Sequence, residues 1–209
     1  MQEAIPANAA EFAQSGKLTL KLSKIYLVNP QDVLFSLPTI SDELPLTGNE
    51  ALFHDFEETI LEDDWRQNEF LNPSSLPLID KEIEEIKAIW GNHSKPMSED
   101  FTAFDKMHVR DTIGEADLRI DLQPLQDILG TNQLGQLKLK GNDGFVKDAF
   151  AIRTEATTYY GTLRDGIINQ LCISSFSDDS IGEIQAITKA FDLVFVNWYH
   201  GEIVTSDDE

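Results

Sequence analysis

The sequence predicts an α+β fold: a mainly antiparallel sheet, built from a C-terminal meander plus a β-α-β unit, with helices packed against it. Three observations support this prediction. Apolar and polar residues alternate from Ala149 to Tyr160, an Asp-Gly dipeptide separates this run from a second β-rich run, and the spacing becomes helical after Phe176. All three lie between Phe145 and Val204, so this stretch carries the clearest fold signals.

The meander is predicted from strand periodicity and turn residues. Residues from Ala149 to Tyr160 alternate with the period of a strand that has one covered face. Asp165-Gly166 suits a two-residue hairpin loop, because both residues tolerate a positive φ, and 167–176 is the expected partner strand. An earlier hairpin is predicted where the alternating run 137–140 meets the turn residues 141–144.

The β-α-β unit is predicted from the change of period that follows. A helix over 180–191 is expected to pack on the sheet, and Ser180 to Glu183 has the form of a capping box. The run 193–196 is apolar on both faces, as in a strand covered on two sides. Residues 203–205 are expected to return as a short strand. The helical spacing is set by Ile181, Ile184, Ile187 and Phe191.

The N-terminal half is predicted to be more helical. A short helix over 9–15 precedes a strand over 18–27 with a bulge at Lys24. A second helix is predicted from Glu50 to Glu62, after a capping box at Thr47 to Glu50. Its apolar face would comprise Leu52, Phe53, Phe56 and Ile60.

A third helix is predicted from Ile79 to Trp90, ended by Gly91. Residues 91–99 then form the best linker candidate. The chain is predicted to be a single domain over 1–209, with a possible division at this linker. Beyond it, 118–122 alternates like a strand, and 124–129 resembles one or two helical turns closed by Gly130.

The net charge of −21, from 37 acidic and 16 basic residues, restricts the possible partners. Direct binding of nucleic acid or of an anionic membrane needs clustered lysine and arginine, so neither is predicted. No leader-like segment or long apolar run occurs, which predicts a cytoplasmic location. The lone Cys172 lies at an apolar strand position and is expected to be structural.

The acidity is concentrated between Asp42 and Glu69, a segment that contains ten acidic residues and one basic residue. The predicted helix would hold carboxylates outward on a rigid element, which favours binding of a basic protein partner, as a toxin immunity protein does. The alternatives are acidity that serves solubility only, a DNA mimic, and a metal-dependent enzyme acting through His54 or His200. The predicted partner-binding residues are Glu57, Glu58, Glu62, Asp63 and Asp64.

The sequence contains one candidate metal-binding group, around His54. His54 could share a helical face with Glu57, Glu58 and Glu62, but no second Glu-x-x-His pair occurs, so no metal site is predicted. Phosphate-binding loops and the nucleophile elbow are absent from the sequence, so no cofactor or catalytic residue is predicted.

At the end of the buried strand, Trp198, Tyr199 and His200 form a possible pocket. The alternative is an aromatic rim that closes the core.

Overall fold

A computed structural model describes residues 33–41, 43–99, 101–113 and 118–206. The helix predicted at 9–15 and the strand predicted at 18–27 lie outside these residues. The account below concerns the compact unit that begins at Leu34. None of its described helices is long and apolar enough to cross a bilayer.

The described residues form three α-helices and fifteen short strands. The helices are α1 (Leu76–His93), α2 (Leu122–Leu129) and α3 (Ile181–Phe191). The strands are β1 (Thr39–Ser41), β2 (Thr47–Gly48), β3 (Glu57–Ile60), β4 (Asn68–Leu71), β5 (Ser94–Pro96), β6 (Thr102–Phe104), β7 (His108–Arg110), β8 (Ile120–Asp121), β9 (Gln136–Leu139), β10 (Phe145–Val146), β11 (Ala149–Arg153), β12 (Thr158–Arg164), β13 (Ile167–Ile173), β14 (Val194–Asn197) and β15 (Glu202–Val204).

A seven-stranded sheet organises the unit, in the order β11-β12-β13-β4-β14-β15, with β8 also paired to β13. Strand β4 is antiparallel to both β13 and β14, so those two strands run parallel and α3 is the crossover between them. The α+β prediction is confirmed. Strand β4, which lies between β13 and β14, comes from the N-terminal half of the chain. Both halves of the chain therefore contribute strands to this sheet.

Alternating side chains of this sheet enter different layers of the core. Phe70 and Phe195 pack with residues of α2 and α3 on one face. On the other face, Leu71 and Val196 pack against α1, while Cys172 packs under a four-stranded sheet of order β2-β10-β9-β3. The central sheet is therefore covered on both faces, as the apolar run 193–196 predicted.

The meander contains one more turn than predicted. The strand expected over 149–160 ends at Arg153, because the Thr154 hydroxyl accepts hydrogen bonds from the N–H groups of Ala156 and Thr157 at 3.2 and 3.1 Å. A threonine that bonds its own backbone in this way offers an alternative to the strand ladder. The next strand starts at Thr158.

The Asp-Gly hairpin is confirmed, with φ of 53° at Asp165 and 82° at Gly166. The earlier hairpin is also confirmed, since β9 and β10 pair antiparallel.

The predicted helix over 180–191 is confirmed as α3, but its cap lies one turn earlier. Ser177 and Ser180 form the capping box, around a short 3-10 helix. Glu183 instead accepts hydrogen bonds from the hydroxyls of Tyr159 and Thr154, both at 3.0 Å. The carboxylate expected to cap the helix therefore ties it to the sheet.

The helix predicted from Glu50 to Glu62 is wrong. Residues 57–60 form β3, which pairs parallel with β9, and Ile60 is buried in that pairing. The apolar residues that suggested one helical face pack in different layers: Phe53 against the α2 and α3 side, Phe56 under the four-stranded sheet. Tertiary contacts thus overrode a local helical pattern.

The predicted helix end at Gly91 is also wrong, because α1 continues to His93. Asn92 Nδ2 and Ser94 Oγ donate to the carbonyl oxygens of Ala88 and Trp90 at 2.9 and 2.6 Å. These bonds satisfy carbonyl groups that a helix end leaves without partners. Residues 94–96 form β5, paired with β6, so the linker expected over 91–99 is part of the folded unit. The single domain over 1–209 stays a prediction.

Candidate functional site

The five predicted partner-binding residues form two groups of different character. Glu57 and Glu58 lie on β3 and are already in ion pairs, with Lys138 at 3.1 Å and Arg153 at 2.9 Å. Glu58 also accepts a hydrogen bond from the hydroxyl of Thr158. These pairs offset both charges, which leaves less negative potential for a partner than the sequence suggested.

Glu62, Asp63 and Asp64 instead form a short 3-10 helix, which we call the acidic turn. Glu62 and Asp63 are exposed, and Asp64 is half-buried. Within the described part of the chain, none of the three is in an ion pair. Partial burial, followed by the charge of Asp63, raises the pKa of Asp64 above its ordinary value. The acidic turn therefore concentrates uncompensated negative charge on the surface.

An open groove of about 1080 Å³ is lined in part by Trp65 and Arg66, the two residues that directly follow the acidic turn in the chain. We call it the leucine groove, because Leu44, Leu46 and Leu52 line it and are 46%, 76% and 51% exposed. The hairpin between β12 and β13 lines another part. Exposed apolar side chains around a concave surface are typical of binding sites. Its charged lining is balanced: Glu43, Asp148, Asp165, Arg66, Lys147 and Arg164.

A fully buried carboxylate, that of Glu69, forms an ion pair with Arg66, which lines the groove. Glu69 accepts from Arg66 Nε at 2.8 Å and from Trp198 Nε1 at 2.8 Å, and it lies 3.2 Å from Arg110 Nη2. The Arg110 guanidinium also stacks 4.5 Å from the Trp198 ring. The network joins β4, β7 and the end of β14, and it holds the segment that follows the acidic turn.

Cys172 lies next to this network on β13 and is fully buried, as its strand position predicted. Burial, with a smaller contribution from the charge of Glu69, raises the pKa of its thiol. The thiolate is the reactive form, so a raised pKa and burial both suppress its chemistry.

We therefore expect Cys172 in the folded chain to react with a soluble disulfide reagent more than about a hundredfold more slowly than in the unfolded chain. Thiol release followed with and without denaturant would measure this. The control is Ser175→Cys, which adds an exposed thiol near the same strand. Equal rates at Cys172 in folded and unfolded chain would contradict the prediction.

The predicted pocket residues Trp198, Tyr199 and His200 have different surroundings: Tyr199 and His200 contact each other, with ring centroids 4.7 Å apart, whereas Trp198 belongs to another group. Trp198 is buried in the Glu69 network. Tyr199 and His200 pack against Trp90, with ring centroids 5.9 and 6.0 Å away, and Trp90 Nε1 donates to the Tyr199 carbonyl oxygen. None of the three lines the leucine groove. Their contacts fit the alternative of an aromatic rim.

His54 does not share a helical face with Glu57 and Glu58, because residues 57–60 form a strand. It is exposed, and its Nδ1 lies 3.3 Å from Gln136 Oε1. A different group converges instead: Glu82 and Glu85 of α1 with His108 of β7. The sequence analysis did not name these residues. The sequence places Glu82 and Glu85 three residues apart in a predicted helix, but only the fold brings His108 beside them.

Comparisons with known proteins identify no relative. No family model, curated protein or solved structure matches the chain.

Proposed function

We propose that this protein binds a basic protein partner, which places a segment carrying lysine or arginine and apolar side chains in the leucine groove. The observation that carries the proposal is the acidic turn, whose three carboxylates have no ion pair among the described residues and directly precede the groove-lining residues Trp65 and Arg66 in the chain. Neutralisation of a toxin is one form that such binding takes, and a cytoplasmic location belongs to the same proposal.

Charge supports a basic partner rather than an acidic or neutral one. The chain as a whole carries −21, which attracts cations from a distance and speeds association. The groove lining itself is balanced, so the local negative potential comes from the acidic turn. The proposed interface does not include Glu57 and Glu58, because ion pairs with Lys138 and Arg153 offset their charges.

The groove supports a partner that also buries apolar side chains. Surface ion pairs are worth about 0–1 kcal/mol each, so carboxylates alone give weak and unselective binding. Leu46 and Leu52 are largely exposed, and burying them against a partner adds the hydrophobic contribution that affinity requires. The two features together favour a segment in which basic and apolar residues alternate.

The test uses a labelled peptide of alternating lysine and leucine, titrated with the protein at several salt concentrations. We expect Glu62→Gln with Asp63→Asn to weaken binding about fivefold or more, since two rim charges are lost, and to flatten the salt dependence. Leu52→Ser is expected to weaken binding with little effect on the salt dependence. Fluorescence anisotropy measures both.

Asp178→Asn with Asp179→Asn is the matched control, because these exposed acidic residues also lie on a 3-10 helix. This pair removes the same charge and is expected to change affinity less than about twofold. If both pairs weaken binding equally, the peptide senses net charge alone and the proposal fails. The same holds if a lysine and serine peptide binds as tightly.

The DNA-mimic and enzyme interpretations stay predictions. A DNA mimic requires carboxylates spaced like phosphates, with about one charge per 1.7 Å of duplex axis. The ion pairs of Glu57 and Glu58 weaken the one acidic row that the sequence suggested.

A further inference from the structure

Arg66 lines the leucine groove although the residue is only 6% exposed. Its backbone has a φ of 58°, which is uncommon for a residue with a long side chain. Contacts on both sides hold this conformation: the Arg66 N–H donates to the Tyr160 hydroxyl at 3.2 Å, and the Arg66 carbonyl oxygen accepts from Arg110 Nη2. Arg66 therefore has a fixed position in the wall of the groove.

The Arg66 guanidinium has one nitrogen with a partner and another without. Arg66 Nε donates to Glu69 Oε2 at 2.8 Å, and the Glu69 carboxylate is shared with Arg110, at 3.2 Å. Arg66 Nη2 is buried and has no hydrogen-bond partner among the described residues. Burying a donor without an acceptor is unfavourable, and native structures rarely keep one. An acceptor that reaches Nη2 therefore satisfies a group that the unbound chain leaves unpaired.

A guanidinium suits a carboxylate better than it suits a neutral acceptor. Hydrogen bonds between charged groups are shorter and stronger than neutral ones, and the planar guanidinium matches the two oxygens of a carboxylate. One carboxylate of the groove lining, that of Glu43, already acts on Arg66 through its charge. Burial acts to lower the pKa of Arg66, but the charge of Glu69 and, to a smaller extent, that of Glu43 raise it. Glu43 is exposed, and it forms no ion pair with any described residue.

We propose that the leucine groove contains a carboxylate subsite at Arg66, which binds the free C-terminus or an acidic side chain of the basic partner. The subsite rests on the proposed function, since it names a group that the bound segment presents in the groove. Arg66 follows Asp64, the last residue of the acidic turn, by two positions, so the partner's carboxylate is expected close to its basic residues. Nη2 is covered in the unbound chain, so groove side chains turn aside on binding, as interface side chains commonly do.

Two pairs of labelled lysine and leucine peptides test the subsite by fluorescence anisotropy. The first pair differs only at the C-terminus, which is an amide or a free carboxylate. The second pair keeps the amide and differs at one central residue, glutamine or glutamate. Each carboxylate makes its peptide less basic, so attraction to a chain of net charge −21 predicts weaker binding. The subsite predicts that at least one carboxylate peptide binds about fivefold or more tightly than its neutral counterpart, and the pair that shows this identifies the source.

Arg66→Lys is expected to abolish this gain. Lysine has a single side-chain nitrogen, which the buried Glu69 carboxylate holds, so no donor is left for the ligand. Glu43→Gln is expected to strengthen binding of the carboxylate peptide about twofold or more, because a competing negative charge is lost. Its matched control is Glu50→Gln, since Glu50 is exposed and does not line the groove. Circular dichroism establishes that each variant folds, and the comparison of Glu43→Gln with Glu50→Gln decides if Arg66→Lys does not fold.

The proposal is overturned if neither carboxylate peptide binds more tightly than its neutral counterpart, or if Glu43→Gln and Glu50→Gln change its binding equally. When neutral peptides bind and a carboxylate adds nothing, the proposed function stands without the subsite. When the carboxylate raises affinity but Glu62→Gln with Asp63→Asn has no effect, the subsite stands and the role proposed for the acidic turn fails. The two failures are therefore distinguishable.

Discussion

Replacing Glu69 with glutamine is expected to lower the free energy of unfolding by about 3–5 kcal/mol, the cost of breaking a buried ion pair from one side. Glu69 is the carboxylate beside Arg66, Arg110 and the indole N–H of Trp198 in a fully buried network. The substitution keeps the shape but removes the buried negative charge that both guanidinium groups contact. Denaturant unfolding followed by tryptophan fluorescence measures the loss.

Glu57→Gln is the matched control for this prediction. Glu57 also belongs to an ion pair, with Lys138 at 3.1 Å, but its side chain is 42% exposed. Its loss is expected to change the free energy of unfolding by less than about 1 kcal/mol, because solvent screens exposed pairs. Similar losses in the two variants would show that burial does not set the strength of the Glu69 network.

Gly161→Ala is expected to destabilise the fold by about 3 kcal/mol or more. Gly161 lies in β12, opposite Leu171 of β13, in the longest pairing of the central sheet. A Cβ at this position would overlap the Gln170 carbonyl oxygen and lie 2.8 Å from the Gln170 carbonyl carbon. Backbone atoms cannot move aside as a flexible side chain does, so the cost exceeds the usual 1–3 kcal/mol of overpacking. Thermal unfolding measures it.

Gly182→Ala is the control for this prediction, because it is expected to change stability in the opposite direction. Gly182 lies in α3, is exposed, and has open space where a Cβ would lie. Alanine there is expected to stabilise the chain by about 0.4–1 kcal/mol, since it lowers the entropy of the unfolded state and favours the helix. If Gly161→Ala leaves stability within about 0.5 kcal/mol, the close approach of β12 and β13 is not a constraint on this fold.

The elements that sequence patterns predicted well are those with agreeing local signals. Asp165-Gly166 formed its hairpin because positive φ at both positions is a local property of those residues. The amphipathic helix through Ile79 and Ile86 formed because its spacing and its burial agree. Helix α2 ended at Gly130, which has a φ of 67°.

The prediction of the site succeeded less often, because the site depends on contacts between distant segments. The sequence identified the acidic residues, but their distribution between ion pairs and open surface depends on Lys138 and Arg153, about 80 and 95 positions away. The same applies to His108, which meets Glu82 across 26 positions. No periodic pattern in the sequence predicts these contacts between distant residues.

By itself, the sequence determined the fold class, most elements of the C-terminal half, the buried position of Cys172 and the strong negative charge. Each depends on residue type or short-range spacing. Only the tertiary structure decided that 57–60 is a strand, that β4 enters the sheet between β13 and β14, and which carboxylates stay uncompensated. The physical reason is that burial and pairing with distant residues outweigh local preferences of about 1 kcal/mol or less per residue.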